Sequence, residues 1–335
     1  MYRKLTRCSV PRLFFLFLCL VFLSNTCFAA RHGLSGLITF RDEYQPTAIS
    51  ARDPSEYTVK PWSEREKRKL HMYLQLIKDK LPGIVQRATA YRPILLYRAT
   101  MIPSGDASAF SYNHSITFSD TVIHSMLDPD SSPIMTHTVA HELTHLADPF
   151  NKIAWSEEWV NLVKPRIDRV QRTFLKRRGL PVGKAIEERR KRPNGDLMVN
   201  EITELATQQG LPSGYASVNL VEALAEYVAV PLTYGYVPPV QIKGFIESKL
   251  LSTPVVLDPS IRYVHQGLAN VQKGQLDKAI RAFDRAIKLD PDLVRAQEYR
   301  AQVWALKKKV DHSISDYTQA VRKFWDIGGV TDAHP

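Results

Sequence analysis

One eleven-residue stretch constrains this chain more than any other: Thr138-Val139-Ala140-His141-Glu142-Leu143-Thr144-His145-Leu146-Ala147-Asp148. On an α-helix, residues four apart share a face, so His141 and His145 can reach one metal ion while Glu142 is offset toward the ion's open side. Val139, Ala140, Leu143, Leu146 and Ala147 fall on the opposite arc and would bury the helix against a core. Ser132 as cap and Pro133 at the first position open this helix, and Pro149 stops it after Asp148. The bland alternative, two surface histidines beside a helix-face glutamate, does not account for the apolar arc.

A catalytic zinc that keeps one position for water needs three protein ligands. Cys8, Cys19 and Cys27 all lie in the first 29 residues, so the ligands must be His, Asp or Glu. A metzincin-type third histidine would fall at 151, which is Asn151, and the glycine of that type would fall at Asp148, so that class is excluded. The segment Asn219 to Tyr227 offers Glu222 and Glu226, four apart in an otherwise apolar helix, and buried glutamates demand partners. Glu222 has a competing role as a capping-box partner of Asn219. Tyr215 has one as a half-buried loop aromatic. His114, His124 and His137 have no ligand-like spacing; His137, one turn before His141, lines the cleft at most.

With HExxH on one helix and ExxxE on a later one, the sequence resembles the gluzincin metallopeptidases, and within them the anthrax lethal factor type of catalytic domain. The resemblance rests on His141, Glu142, His145, Asp148, Tyr215, Glu222 and Glu226 and spans about 107 to 230. It implies one Zn2+ held by His141, His145 and Glu222, with Glu142 as general base and Tyr215 as donor to the developing oxyanion. Glu226 and Asp148 would support the ligands from behind. It also implies that a substrate lies along an edge strand, either 107–112 or 115–119. The interval from His145 to Glu222 is unusually long for this pattern.

The first residues read as an export signal. Arg3, Lys4, Arg7 and Arg12 precede an apolar run from Leu13 to Ser24, and Cys27-Phe28-Ala29 is an acceptable cleavage site. The run is short of the ~20 residues that span a bilayer. Residues 1–29 are therefore expected to be removed, giving a secreted or periplasmic protein without thiols or an integral membrane segment. Its formal charge falls from +11 in the full chain but stays positive.

The positive excess is uneven. Between Lys164 and Arg192 there are twelve Lys or Arg against Asp168, Glu187 and Glu188, a net of +9. We read 164–192 as a basic insertion, a solvated face that could recruit an acidic partner. Nucleic acid is disfavoured, because aromatic residues are not interleaved and no recognition fold accompanies the run.

Residues 30–60 lack a sustained period and read as an extended lead-in. Ser63 and Glu66 form a capping box for a helix that buries Leu70, Tyr73, Leu74, Ile77 and Leu81 and ends at Pro82-Gly83. Ile94 to Tyr97 reads as a buried strand, and 107–112 with 115–119 as a hairpin turning at Asn113-His114. Leu211 to Gly214 reads as a loop, and the helix from Asn219 should end at Pro231. From Ser260 the residues Tyr263, Gly267, Ala279, Phe283, Ala286 and Pro291 begin a unit whose pattern returns 34 residues later with Ala301, Ser313, Tyr317 and Ala320. This looks like two tetratricopeptide repeats over 260–327. Two repeats bury too little surface alone, so they should lean on the first domain, for which 240–251 is the candidate contact.

The expected fold class is α+β: a zincin-like metallopeptidase domain over 61–251, then an all-α repeat pair. The expected function is an exported zinc-dependent peptidase acting on a protein or peptide, with a peptide or protein partner at the repeats. The alternatives are a repeat-bearing binding or chaperone-like protein with an inert zincin domain, and a peptidase acting on cell-wall peptides.

Overall fold

The computed structural model describes residues 34, 36–43, 57–101, 109–112, 114–179 and 195–326. The expected signal segment, its three cysteines and 180–192 of the basic run lie outside the described residues. The chain is mostly helical, with one small sheet and a helical-hairpin region at its C-terminus.

Five strands form the sheet: β1 (Ile38–Arg41), β2 (Tyr57–Lys60), β3 (Ile94–Met101), β4 (Ala109–Tyr112) and β5 (Ser115–Ser119). β3 is the organising strand. β1 pairs with its first half in parallel and β2 with its second half antiparallel, so both cover the same edge end to end. β5 takes the other edge in parallel, and β4 closes the hairpin with β5 as the outermost strand. The lead-in expected at 30–60 thus contributes two strands to the sheet. Four-residue strands show no usable period; they exist because β3 supplies their hydrogen bonds. Lys60, Arg98, Glu66 and Asp120 lock this edge together, with Arg98 3.0 Å from both Glu66 and Asp120.

Helix α1 (Glu64–Lys80) starts at the expected capping box, Ser63 with Glu66, and buries Leu70, Tyr73, Leu74 and Ile77. The chain does not loop at Pro82-Gly83 but begins α2 (Pro82–Ala88) at once. A Cβ on Gly83 would lie 2.4 Å from the Leu251 carbonyl oxygen, so this glycine permits the backbone of 250–251 to approach. α3 (Asp120–Leu127) leads to the motif helix α4 (Ser132–Ala147). Its cap is Ser131, not Ser132. Asp128 accepts from Asp130 N–H and from the Ser131 hydroxyl, shaping the preceding turn and moving the helix start one residue earlier.

Over its described part the basic run is a core helix, not only a solvated face. α5 (Glu157–Arg178) buries Trp159, Val163, Ile167, Val170 and Phe174 in the main core. Several of its cations have internal partners: Lys164 with Asp168, Arg166 with the Gln209 carbonyl, and Arg177 and Arg178 with Glu201. α6 (Gly195–Gln208) precedes the loop at 211–214, and α7 (Leu220–Tyr234) carries the two glutamates. α7 passes through Pro231 and ends instead at Gly235, whose φ of +69° closes the helix in the left-handed region. α8 (Val240–Ile246) continues as a wider turn to Leu251.

Four helices follow: α9 (Pro259–Gln272), α10 (Leu276–Leu289), α11 (Val294–Leu306) and α12 (Val310–Asp326). They form two hairpins on a separate apolar cluster that includes Val264, Phe283, Ala286, Ala296 and Val303. Gly267 lets α9 and α10 approach, since a Cβ there would meet the Phe283 ring at 2.4 Å. The hairpins do not lean on 240–251, which packs on α2. They rest on Tyr91 and Phe150, which join the second cluster, and on His114, whose ring lies 5.7 Å from that of His265. Among the described residues no helix is long and apolar enough to cross a membrane.

Candidate metal centre

α4 lies against α7 in the core, and His141 and His145 of one face Glu222 and Glu226 of the other. Val139, Ala140 and Leu143 of α4 are fully buried, which sets its rotation and presents His141 and His145 to α7. The threonines that would otherwise weaken a helix satisfy themselves within it: Thr136, Thr138 and Thr144 each donate to the carbonyl four residues back.

Asn219 caps α7 by accepting from the N–H groups of Val221 and Glu222. The Glu222 side chain turns to the histidines: its Oε2 lies 3.0 Å from His141 Nε2 and 3.3 Å from His145 Nε2, and the two Nε2 atoms are 3.0 Å apart. Tetrahedral ligands about 2.0 to 2.1 Å from a zinc ion stand roughly 3.3 Å from one another. The triangle therefore has the dimensions of three corners of such a site, and its donor set of two imidazoles and a carboxylate suits zinc.

Glu226, one turn further along α7, accepts the Nδ1–H of His141 at 2.9 Å. With a metal at the triangle, that hydrogen bond would keep the ring proton on Nδ1 and leave the Nε2 lone pair for the ion. Two further residues, His137, which the sequence places one turn before His141, and Ser213, complete the support. His137 Nε2 lies 3.1 Å from Glu226 Oε1, and the Ser213 hydroxyl donates to Oε2 at 2.5 Å. The spacing of His137 places it at the cleft but gives it no partner there; the fold supplies Glu226. Ser213 has no local signal, since only the fold brings its loop to Glu226.

The electrostatics follow from burial and pairing. Burial raises the Glu222 carboxyl, but hydrogen bonds to His141 and His145 outweigh it and hold the group well below the usual carboxylate range. Glu226 behaves alike: burial opposes, and His137 and His141 bring it down to about 2. Burial lowers His141, yet Glu222 and Glu226 lift it to about 10. Two buried carboxylates so placed favour a positive charge between them.

Glu142 is 6% exposed, and its Oε2 is buried without a hydrogen-bond partner. An ionisable oxygen in that condition is rare unless something outside the chain supplies the donor. Tyr215 opens the short turn Tyr215–Ser217, is 53% exposed, and places its ring 5.8 Å from that of His141. The turn is held by α5, whose Gln171 amide donates to the carbonyls of Ser217 and Val218; Trp159 donates to that of Leu220. α5, which carries the first part of the basic run, thus supports both the turn of Tyr215 and the start of the helix bearing Glu222.

Asp148 departs from its expected place behind the ligands. Its two oxygens accept the N–H groups of Ile153 and Ala154 at 2.7 and 2.9 Å, so it organises the loop after α4. Burial raises its carboxyl to about 6 despite those donors. His114 donates its Nε2–H to the Arg92 carbonyl and His124 its Nδ1–H to that of Asp120, both away from the triangle.

A family model described as TPR repeat matches residues 267–308. This accords with the α9–α12 hairpins, and repeats of this kind generally mediate protein–protein interaction. No curated protein and no solved structure matches the chain.

Proposed function

We propose that this chain is an exported zinc-dependent peptidase of gluzincin type, with His141, His145 and Glu222 as ligands. The observation that carries the proposal is the triangle of His141 Nε2, His145 Nε2 and Glu222 Oε2, with sides of 3.0, 3.0 and 3.3 Å, beside the unpartnered oxygen of Glu142. Zinc, when bound there, would supply a Lewis acid that brings the pKa of water to about 7.

The chain's own residues would do the rest. Glu142 takes the proton from the attacking water and delivers it to the leaving amine. Tyr215 donates its phenolic hydrogen to the carbonyl oxygen as that oxygen becomes negative. Glu226, held by His137 and Ser213, keeps the His141 proton on Nδ1. Of the two strands considered for the substrate backbone, β5 is hydrogen-bonded on both sides, by β3 and β4. β4 is the outer strand, packs near α4, and among the described residues has no partner on its far side. It is the strand to which an extended peptide can add.

Metal analysis of the purified chain, combined with digestion of a peptide library, tests the proposal. Zinc should be present at one per chain, and Glu142→Gln should retain it while losing ~100-fold or more of the cleavage rate. A chain that takes up no zinc, or a variant that cleaves as well as the parent, would overturn it.

A further inference from the structure

Among the described residues, the loop that leaves α4 is built unlike any other. Phe150 and Asn151 are consecutive non-glycine residues in the left-handed region, with φ of 65° and 59°. A bulky aromatic residue adopts that conformation only where its surroundings over-determine it. Here the repeats supply those surroundings. The Phe150 ring lies 5.3 Å from His265 on α9 and 6.0 Å from Tyr299 on α11, the first helices of the two hairpins. Lys152 Nζ is 2.5 Å from Asp258 and 2.5 Å from Asp290, which flank the first hairpin. Arg295 of α11 lies over the Trp155 ring at 5.7 Å.

The same loop is tied to the metal-ligand helix from the other side. Asp148 receives Ile153 and Ala154 on its carboxylate, while its own N–H donates to the Thr144 carbonyl and closes the last turn of α4. His145 is in that turn. A continuous series of contacts therefore runs from α9 and α11 through Phe150, Lys152 and Trp155 to Asp148 and His145.

We propose that the repeats act as an intramolecular clamp on this loop, with Phe150 as a positioning residue for His145, so that repeat docking and metal occupancy are linked. The proposal rests on the metal-site reading above. Linkage is reciprocal: whatever favours the docked loop favours the assembled triangle, and a cation in the triangle favours docking. The face formed by α9 and α11 is then occupied by the chain itself. A protein partner seeking that face must displace Phe150 and would weaken the metal site by doing so.

The test uses the full chain with Phe150→Ala and the conservative Phe150→Leu, and Lys152→Ala as a milder variant should Phe150→Ala fail to fold. Zinc affinity is measured by competition with a chromophoric chelator. Amide hydrogen exchange is followed in residues 143–147 and in α9 and α11, with and without zinc. Phe150→Ala should bind zinc about tenfold or more weakly and exchange faster in 143–147, with Phe150→Leu restoring most of both. Zinc should slow exchange in α9 and α11 of the parent chain. If undocking speeds exchange in α9 while zinc affinity and exchange in 143–147 match the parent, Phe150 is only a packing residue and the clamp is overturned. Should the parent take up no zinc, the metal reading fails by itself, and unchanged exchange in 143–147 on undocking still refutes the clamp.

Discussion

Glu226 accepts the Nδ1–H of His141 at 2.9 Å, while Glu222, four residues earlier on the same helix, stands 3.0 Å from the Nε2 of the same ring. One imidazole is thus gripped at both nitrogens by α7, and the two carboxylates are assigned different tasks by which nitrogen they face. Glu222→Gln should leave the chain without metal at ordinary zinc concentrations. Glu226→Gln should lower zinc affinity about 10- to 100-fold and recover occupancy when zinc is raised. Zinc content across a titration separates the two, and the reverse order would exchange their roles.

Tyr215→Phe removes one hydroxyl next to the site without touching the triangle. Turnover should fall on the order of 100-fold, the usual loss for one oxyanion donor, while zinc content stays at that of the parent. Single-turnover rates together with metal analysis check this; equal turnover would make Tyr215 a packing residue.

The seam between the two units should be acid-sensitive. Burial, then the charge of Arg92, lowers His114 to about 4 and His265 to about 3, from an ordinary 6.5. Both ring nitrogens of His265 are buried without a hydrogen-bond partner. The unfolded chain therefore binds protons below pH 6.5 that the folded chain does not, and stability rises with pH in that range. It should be complete above about pH 6.5 and fall as pH drops toward 4, by up to about 1.4 kcal/mol per pH unit for each histidine. Denaturant melts at several pH values for the parent and His265→Phe check this: the variant should show the shallower dependence.

Gly267→Ala sets two effects against each other. Alanine improves helix propensity by about 1 kcal/mol, but its Cβ would lie 2.4 Å from the Phe283 ring, which is fully buried. Overpacking of this kind typically costs about 1 to 3 kcal/mol, and a ring enclosed on all sides has little room to yield. The variant should therefore be less stable, with a lower Tm, and Phe283→Leu in the same chain should restore part of the loss. A rise in Tm would show that the hairpin can relax.

The sequence by itself determined the features whose cause is local. His141, Glu142 and His145 share a helix because four-residue spacing and the apolar arc of Val139 and Leu143 answer to backbone geometry within one segment. The same holds for Ser63 with Glu66, and for the repeat hairpins, where Gly267 and Phe283 are answered 34 residues later by Ala301 and Tyr317. Tertiary structure alone decided which carboxylate faces which imidazole nitrogen, because that depends on the rotation of α7 against α4. It also made strands of Ile38–Arg41 and Tyr57–Lys60, whose hydrogen bonds come from β3, and turned the basic α5 into a support for Tyr215 through Gln171. Phe150 is the clearest case. A left-handed aromatic has no local reason to exist, and its conformation is held by His265 and Tyr299, more than a hundred residues away in the chain.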